Sequence, residues 1–314
     1  MTMPDNSKTS SAVDRHWRNL SPRDQRPQVQ IRTLRQQLAT AHLFWREVGG
    51  VEQPPLVLLH GTRVGPSLAS QPAEGSQWLP VLELLADRCR GFAIDLPGCG
   101  ESSWTPPATR LGSKTAPFQA SIAEYVRVLA DWQATVRLDR FWLAGHSIGA
   151  WIASRYALAY PDQVAGLVIL APEGVGLSGD AGDQQRRHQA AGRGSWTRFR
   201  LRLGASAQTR QEIAAIKAFC QASPAIGRLL YGRSAQDFTQ ERLDEVLGGL
   251  ACPVRILAGT ADDAAADARA KTYAALAHQS HLTVIPTTSP DLLASNPEAI
   301  ADSLASAMGM AAPF

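Results

Sequence analysis

Ser147 stands in Gly145-His146-Ser147-Ile148-Gly149, a G-x-S-x-G sequence. An apolar run, FWLAG, precedes it, and a segment with small residues at Ala150, Ala153 and Ala157 follows. Strand, serine and helix in that order make the serine a candidate nucleophile. The reason is steric. The turn is so tight that the serine takes a strained backbone conformation, and only small residues two before and two after it avoid collision. Gly145 and Gly149 meet that demand. The hydroxyl is thereby pushed out above the strand end, where the free N–H groups and positive dipole end of the helix also point. A plain glycine-serine turn is the bland alternative.

The surrounding pattern supplies the elements such a serine needs. Residues 29–35 and 42–48 read as two short strands. LVLLH at 56–60 is a continuous apolar run, as in a strand buried on both faces. A Gly/Pro/Ser-rich loop is expected over 63–76 and a helix over 78–86. Further strands are expected at 92–96, 141–145, 167–170, 254–258 and 282–285, and further helices at 121–136, 148–160, 264–278 and 297–308. Strand–helix alternation predicts an α/β fold, a mostly parallel sheet with helices on both faces. The rhythm breaks between 173 and 248, where only helical spacing is visible. The predicted organisation is a mobile tail over 1–28, a core made of 29–172 and 249–314, and an inserted helical cap over 173–248.

Composition limits the remaining choices. A hydrophobic content of 45% suffices for a core, and 314 residues fit one large domain with an insertion. A formal net charge of +3 argues against a nucleic-acid partner. No apolar run is long enough for a membrane span, and the first residues lack a signal-peptide pattern. Cys89, Cys99, Cys220 and Cys252 are widely separated, which points to reduced thiols in a cytoplasmic protein rather than a metal site or disulfide framework. No metal or cofactor is expected.

Several motifs resemble the α/β-hydrolase family in the correct order: LVLLHGT at 56–62, FAIDLPGCGES at 92–102, the serine motif itself, LVILAPEG at 167–174, and Asn296-Pro297-Glu298. The resemblance covers nearly everything after residue 40. It implies a serine attacking an acyl carbonyl, a histidine taking its proton, a carboxylate orienting the histidine, and two backbone N–H groups holding the oxyanion. Ser147 matches the nucleophile. The N–H groups of Ile148 and Thr62 match the oxyanion donors. Asp262, in a G-x-x-D pattern after the strand at 254–258, matches the acid, with Asp263 and Glu173 as alternatives. Serine at this position argues against the dehalogenase and epoxide-hydrolase branches, which use aspartate there.

The histidine is missing from its place. With V-I-P at 284–286 and N-P-E at 296–298 aligned to the family, position 290 should be histidine, and it is proline. Of the seven histidines, His16 falls in the tail and His42 in an early strand. His60 matches a loop histidine that is usually structural. His146 should point away from its neighbour Ser147. His278 and His281 precede the last strand, roughly 20 Å from the serine by the rise of a strand. His188 lies in the predicted cap. Asp291 is a carboxylate, a weaker base than imidazole, and suits a serine proton poorly.

The cap adds a feature of its own. No acidic residue occurs between Asp183 and Glu212, but Arg186, Arg187, Arg193, Arg198, Arg200, Arg202 and Arg210 do. Trp196, Phe199 and Leu203 fall at helical spacing. This reads either as a solvated cap helix or as a surface for an anionic ligand, membrane or acidic partner. Two functions follow. One is a serine hydrolase for a small ester, thioester or amide, weakened by Pro290. The other is a non-catalytic relative that binds an apolar ligand or a protein. A lyase on the same fold would need the same absent base.

Overall fold

The computed structural model of the chain describes residues 29–62, 73–104, 121–176, 220–221, 223–231, 241–262, 264–287, 289 and 291–310. The expected tail, residues 63–72 of the entrance loop, the Arg-rich stretch with His188, Asp263 and Pro290 lie outside them. The chain divides into two units, Met1–Gln30 and Ile31–Phe314. Only Val29 and Gln30 of the first unit are described.

The second unit is built on a nine-stranded sheet: β1 (Arg32–Gln37), β2 (Ala41–Val48), β3 (Pro55–Leu59), β4 (Arg90–Ile94), β5 (Ser103–Trp104), β6 (Phe141–His146), β7 (Val164–Leu170), β8 (Val254–Gly259) and β9 (Ser280–Ile285). The order is β1-β2-β4-β3-β6-β7-β8-β9, with the two-residue β5 beside β2. Along the path β4-β3-β6-β7-β8-β9 every pairing is parallel, whereas β2 pairs antiparallel with β1, β4 and β5. The helices are α1 (Leu79–Leu85), α2 (Ile122–Val136), α3 (Ile148–Ala159), α4 (Pro224–Tyr231), α5 (Ala264–Leu276), α6 (Leu292–Ser295) and α7 (Pro297–Ala307).

Continuous apolar runs are explained by burial on both faces. Val57, Leu59, Leu143, Leu167, Ile169 and Ile256 join one core cluster with residues of α2 and α3. Their alternate neighbours Leu56, Leu58, Ala144, Val168 and Leu257 are equally buried. The two-residue period of a strand turns them to the opposite face. There α1 and α7 pack on each other. Trp132 of α2 meets Trp45 and Phe92 edge-on, with centroids 5.7 and 5.4 Å apart. Such pairs add about 0.5–1.5 kcal/mol each beyond their buried area.

Helix α2 starts where Ser121 and Glu124 form a capping box: the Ser121 hydroxyl accepts the Glu124 N–H, and the Glu124 carboxylate accepts the Ser121 N–H at 2.8 Å. The spacing also predicts a helix from residue 78, but Gly75–Trp78 forms a 3-10 turn and α1 begins only at Leu79. The last strand begins at Ser280, so His281 lies within β9, paired with Arg255.

The chain leaves β7 and returns to β8 through two adjacent segments. The Leu243 N–H bonds the Gly174 carbonyl at 2.9 Å, and the Gly176 N–H bonds Asp244 Oδ1 at 2.8 Å. Both segments rest on α3. Trp151 Nε1 and Arg155 Nε donate to the Glu241 carbonyl at 2.7 and 2.8 Å, and the Trp151 ring packs on Gly174. Among the described residues between these segments, the structure holds α4 with a short helical stretch at 220–221.

Candidate active site

Parallel strands deliver their following loops to one edge of the sheet. The turns after β3, β6 and β8 therefore open on that edge: Thr62 follows β3, Ser147 follows β6 and Asp262 follows β8. Ser147 joins β6 to α3 with φ 53° and ψ −116°. A non-glycine residue with positive φ is uncommon and strained. Its N–H bonds the Leu170 carbonyl of β7 at 2.9 Å, which holds the turn closed. A Cβ on Gly145 would run into the backbone of Gly149, and one on Gly149 would strike the carbonyls of Leu59 and His60. Both glycines are thus required by close approach. Ile148, buried, opens α3 directly after the serine.

The turn after β3 presses against the serine. A Cβ built on Gly61 would overlap the His146 imidazole and stand 2.9 Å from Ser147 Cβ. Thr62 follows, partly buried. His60 is wholly buried. Its Nε2 accepts the Leu96 N–H at 2.9 Å and its Nδ1 donates to the Gly61 carbonyl at 3.0 Å, which sets the tautomer. Burial pushes its pKa down to about 4. A neutral ring with both nitrogens engaged is a structural strut, as the sequence suggests.

Asp262 folds back on the end of β8. Its Oδ2 accepts the Gly259 N–H at 2.9 Å, and its own N–H bonds the Gly259 carbonyl at 3.1 Å. The β8 and β9 turns are laced together: Thr260 Oγ1 donates to the Thr287 carbonyl at 2.9 Å and accepts the Thr287 N–H at 2.8 Å. Glu173 instead pairs with Arg269 at 3.5 Å. Asp291 caps α6, accepting the Ala294 N–H at 3.2 Å.

Of the described histidines, none bonds the Ser147 hydroxyl. His60 is committed to backbone. His146 packs on Gly61. His278 packs against Gly248, and His281 is in β9. Among the described residues, no cluster of His, Cys, Asp and Glu could hold a metal ion, and no helix is long and apolar enough to cross a membrane.

Sequence reasoning missed one contributor. The composition predicts a loop over 63–76 without deciding whether it is surface or covers a pocket; its end, Gly75 and Ser76, is buried in the 3-10 turn Gly75–Trp78. The Gly75 N–H bonds Asp95 Oδ1 at 2.7 Å, and Gln77 Nε2 reaches the Gly61 carbonyl at 3.4 Å. The Gly/Pro/Ser composition of this stretch hid the turn, since its partners Asp95 and Gly61 are remote in sequence.

The chain belongs to the α/β-hydrolase family, whose model matches residues 56–303. It is 33% identical over 132 residues to the 1-acylglycerol-3-phosphate O-acyltransferase ABHD5 of Rattus norvegicus, covering 42% of this chain and 33% of that protein. It is 29% identical over 127 residues to a (lyso)-N-acylphosphatidylethanolamine lipase of Bos taurus, covering 40% and 32%. The matched stretch spans about a third of the length of these curated relatives. The naproxen esterase of Bacillus subtilis superposes with TM-score 0.60 at 16% identity, covering 89% of this chain and 92% of that one. The haloalkane dehalogenase DbeA of Bradyrhizobium elkani superposes with TM-score 0.63 at 17% identity, covering 89% and 98%. These likenesses show the fold.

Proposed function

We propose that the protein is a serine hydrolase of low turnover acting on a small ester, thioester or amide, with Ser147 as nucleophile. The single observation that carries this reading is the strained Ser147 backbone, φ 53°, with Gly61 packed against its Cβ. Strain held at a buried turn is a cost that function explains. Ser147 Oγ attacks the acyl carbon while its proton passes to water. The carbonyl π electrons move to oxygen, and the N–H groups of Ile148 and Thr62 receive that oxyanion. Collapse expels the alcohol, thiol or amine, which takes a proton from water, and a second water releases the acid. Asp262 holds the acid position. The names of the two curated relatives both denote acyl chemistry, which supports the substrate class. The insertion over residues 173–248, between β7 and β8, is read as a cap. Four free cysteines support a reducing, cytoplasmic setting.

Turnover is low because proline fills position 290. Removal of a triad histidine in a related mechanism costs about a million-fold in turnover, leaving roughly 10³–10⁴ over water. Purified protein is tested against short p-nitrophenyl esters and a fluorophosphonate. Slow hydrolysis and slow labelling, both abolished by Ser147→Ala, are the expected results; turnover on the order of tens per second would contradict the missing base.

The proline at position 290 favours a second reading, a non-catalytic protein that binds an apolar ligand or a partner. Complete absence of Ser147 labelling decides for it.

A further inference from the structure

A buried amide side chain sits behind the turn that faces Ser147. Gln77, 8% exposed, directs Nε2 at the Gly61 carbonyl, 3.4 Å away. His60 Nδ1 donates to the same oxygen at 3.0 Å. One carbonyl therefore has two side-chain donors, of which the Gln77 contact is the longer.

The next N–H in the chain belongs to Thr62. A peptide unit is planar and trans, so its carbonyl and N–H point in opposite directions. Donors fastened to the Gly61 oxygen from the interior thereby turn the Thr62 N–H outward. Gly61 itself stands against Ser147, since a Cβ on it would lie 2.9 Å from Ser147 Cβ.

Gln77 has a rigid mount. Its own N–H bonds the Glu74 carbonyl at 3.2 Å. The Gly75 N–H bonds Asp95 Oδ1 at 2.7 Å, and the same oxygen takes Arg46 at 2.8 Å. Asp95 is wholly buried. The turn carrying Gln77 is thus fastened to the end of β4, independently of the β3 turn that it supports.

We propose that Gln77 is a positioning residue which, with His60, sets the Gly61–Thr62 peptide plane so that the Thr62 N–H faces the oxyanion formed at Ser147. This role rests on the reading of Ser147 as a nucleophile. It assigns a reason for an amide buried within the turn Gly75–Trp78. An oxyanion donor works through aim: a preorganised N–H stabilises the developing charge without reorganising. Loosening the peptide plane lowers the rate of attack and leaves ground-state binding unchanged.

The test uses the full chain carrying glycine labelled at its carbonyl carbon and threonine labelled with nitrogen-15. The sequence holds two Gly-Thr pairs, Gly61–Thr62 and Gly259–Thr260. A carbonyl-to-amide correlation spectrum therefore contains two peaks, and Thr62→Ser removes one and assigns both. Gln77→Met is close in size but has no N–H to give. In it the Gly61–Thr62 peak should shift, because a carbonyl carbon senses the bonds its oxygen accepts, while the Gly259–Thr260 peak stays. Fluorophosphonate labelling of Ser147 should slow about tenfold, part of the loss that follows removal of an oxyanion donor. Ester kcat should fall with KM unchanged. Gln77→Leu is made in parallel, so that a folding failure of one variant leaves the other to decide. A folded variant with an unmoved Gly61–Thr62 peak, or with a moved peak and unchanged labelling, overturns the proposal. If the wild-type serine does not label at all, the hydrolase reading fails, and with it the oxyanion role of Gln77, whereas an unmoved peak beside normal labelling refutes Gln77 alone.

Discussion

His60 Nε2 accepts the backbone N–H of Leu96 at 2.9 Å, tying the turn after β3 to the turn after β4 from within the core. The bond exists only while the ring is neutral, since a protonated imidazole has no acceptor nitrogen. In the unfolded chain His60 takes up a proton near its ordinary pKa of 6.5; in the folded chain burial delays this to about 4. Between those values the unfolded state binds more protons, so stability falls as pH falls. The loss is on the order of 3 kcal/mol by pH 4. Urea unfolding from pH 7 to pH 4 should show this decline, and His60→Gln should flatten it. A decline of equal steepness in His60→Gln would assign it to other groups.

Ser147→Gly should stabilise the protein. The positive φ of Ser147 is a conformation that glycine adopts freely. Strain of about 1–3 kcal/mol is relieved, against an entropic cost of about 0.5–1 kcal/mol for glycine. A net gain of about 1 kcal/mol in a denaturation midpoint is expected, with loss of all fluorophosphonate labelling. A Ser147→Gly protein less stable than Ser147→Ala would contradict the strain.

Pro290→His should raise ester turnover. A positioned general base contributes typically about 10²–10⁴-fold. The gain should be at least about tenfold, with a pH profile rising through the imidazole range near 6.5. It should vanish on adding Ser147→Ala and shrink on adding Asp262→Asn. A gain insensitive to Ser147→Ala would place the chemistry elsewhere.

Asp95→Ala should be among the costliest single substitutions. The carboxylate, fully buried, holds Arg46 at 2.8 Å and accepts the N–H groups of Gly75 and Glu101 at 2.7 and 3.0 Å. Removing it leaves the buried guanidinium with Glu74 at 3.9 Å in place of a carboxylate at 2.8 Å, which costs about 3 kcal/mol. The double variant Arg46→Met, Asp95→Ala should lose less than the two singles together, measured by chemical denaturation. Full additivity would show that the pair is not coupled.

The architecture could be read from the chain because its signals are local. Apolar runs such as Leu56–Leu58 and Leu167–Leu170 mark strands covered on both faces, and Gly145 and Gly149 flank the serine at the spacing that the sharp turn demands. Element ends moved by a few residues where a cap or turn depends on contacts: the helix expected from Trp78 starts at Leu79, and His281 falls inside its strand rather than before it.

The amino-acid sequence by itself determined the α/β order, the serine of the G-x-S-x-G motif and the proline at 290, since each depends on residue type and short spacing. Tertiary structure alone decided which groups surround the serine. It committed His60 to Leu96 and Gly61, paired Glu173 with Arg269, made Asp291 a helix cap, and brought Gln77 to the Gly61 carbonyl across 16 residues. The physical reason is that hydrogen-bond partners are chosen by distance in space, and sheet order, which sets those distances, is a property of the folded chain.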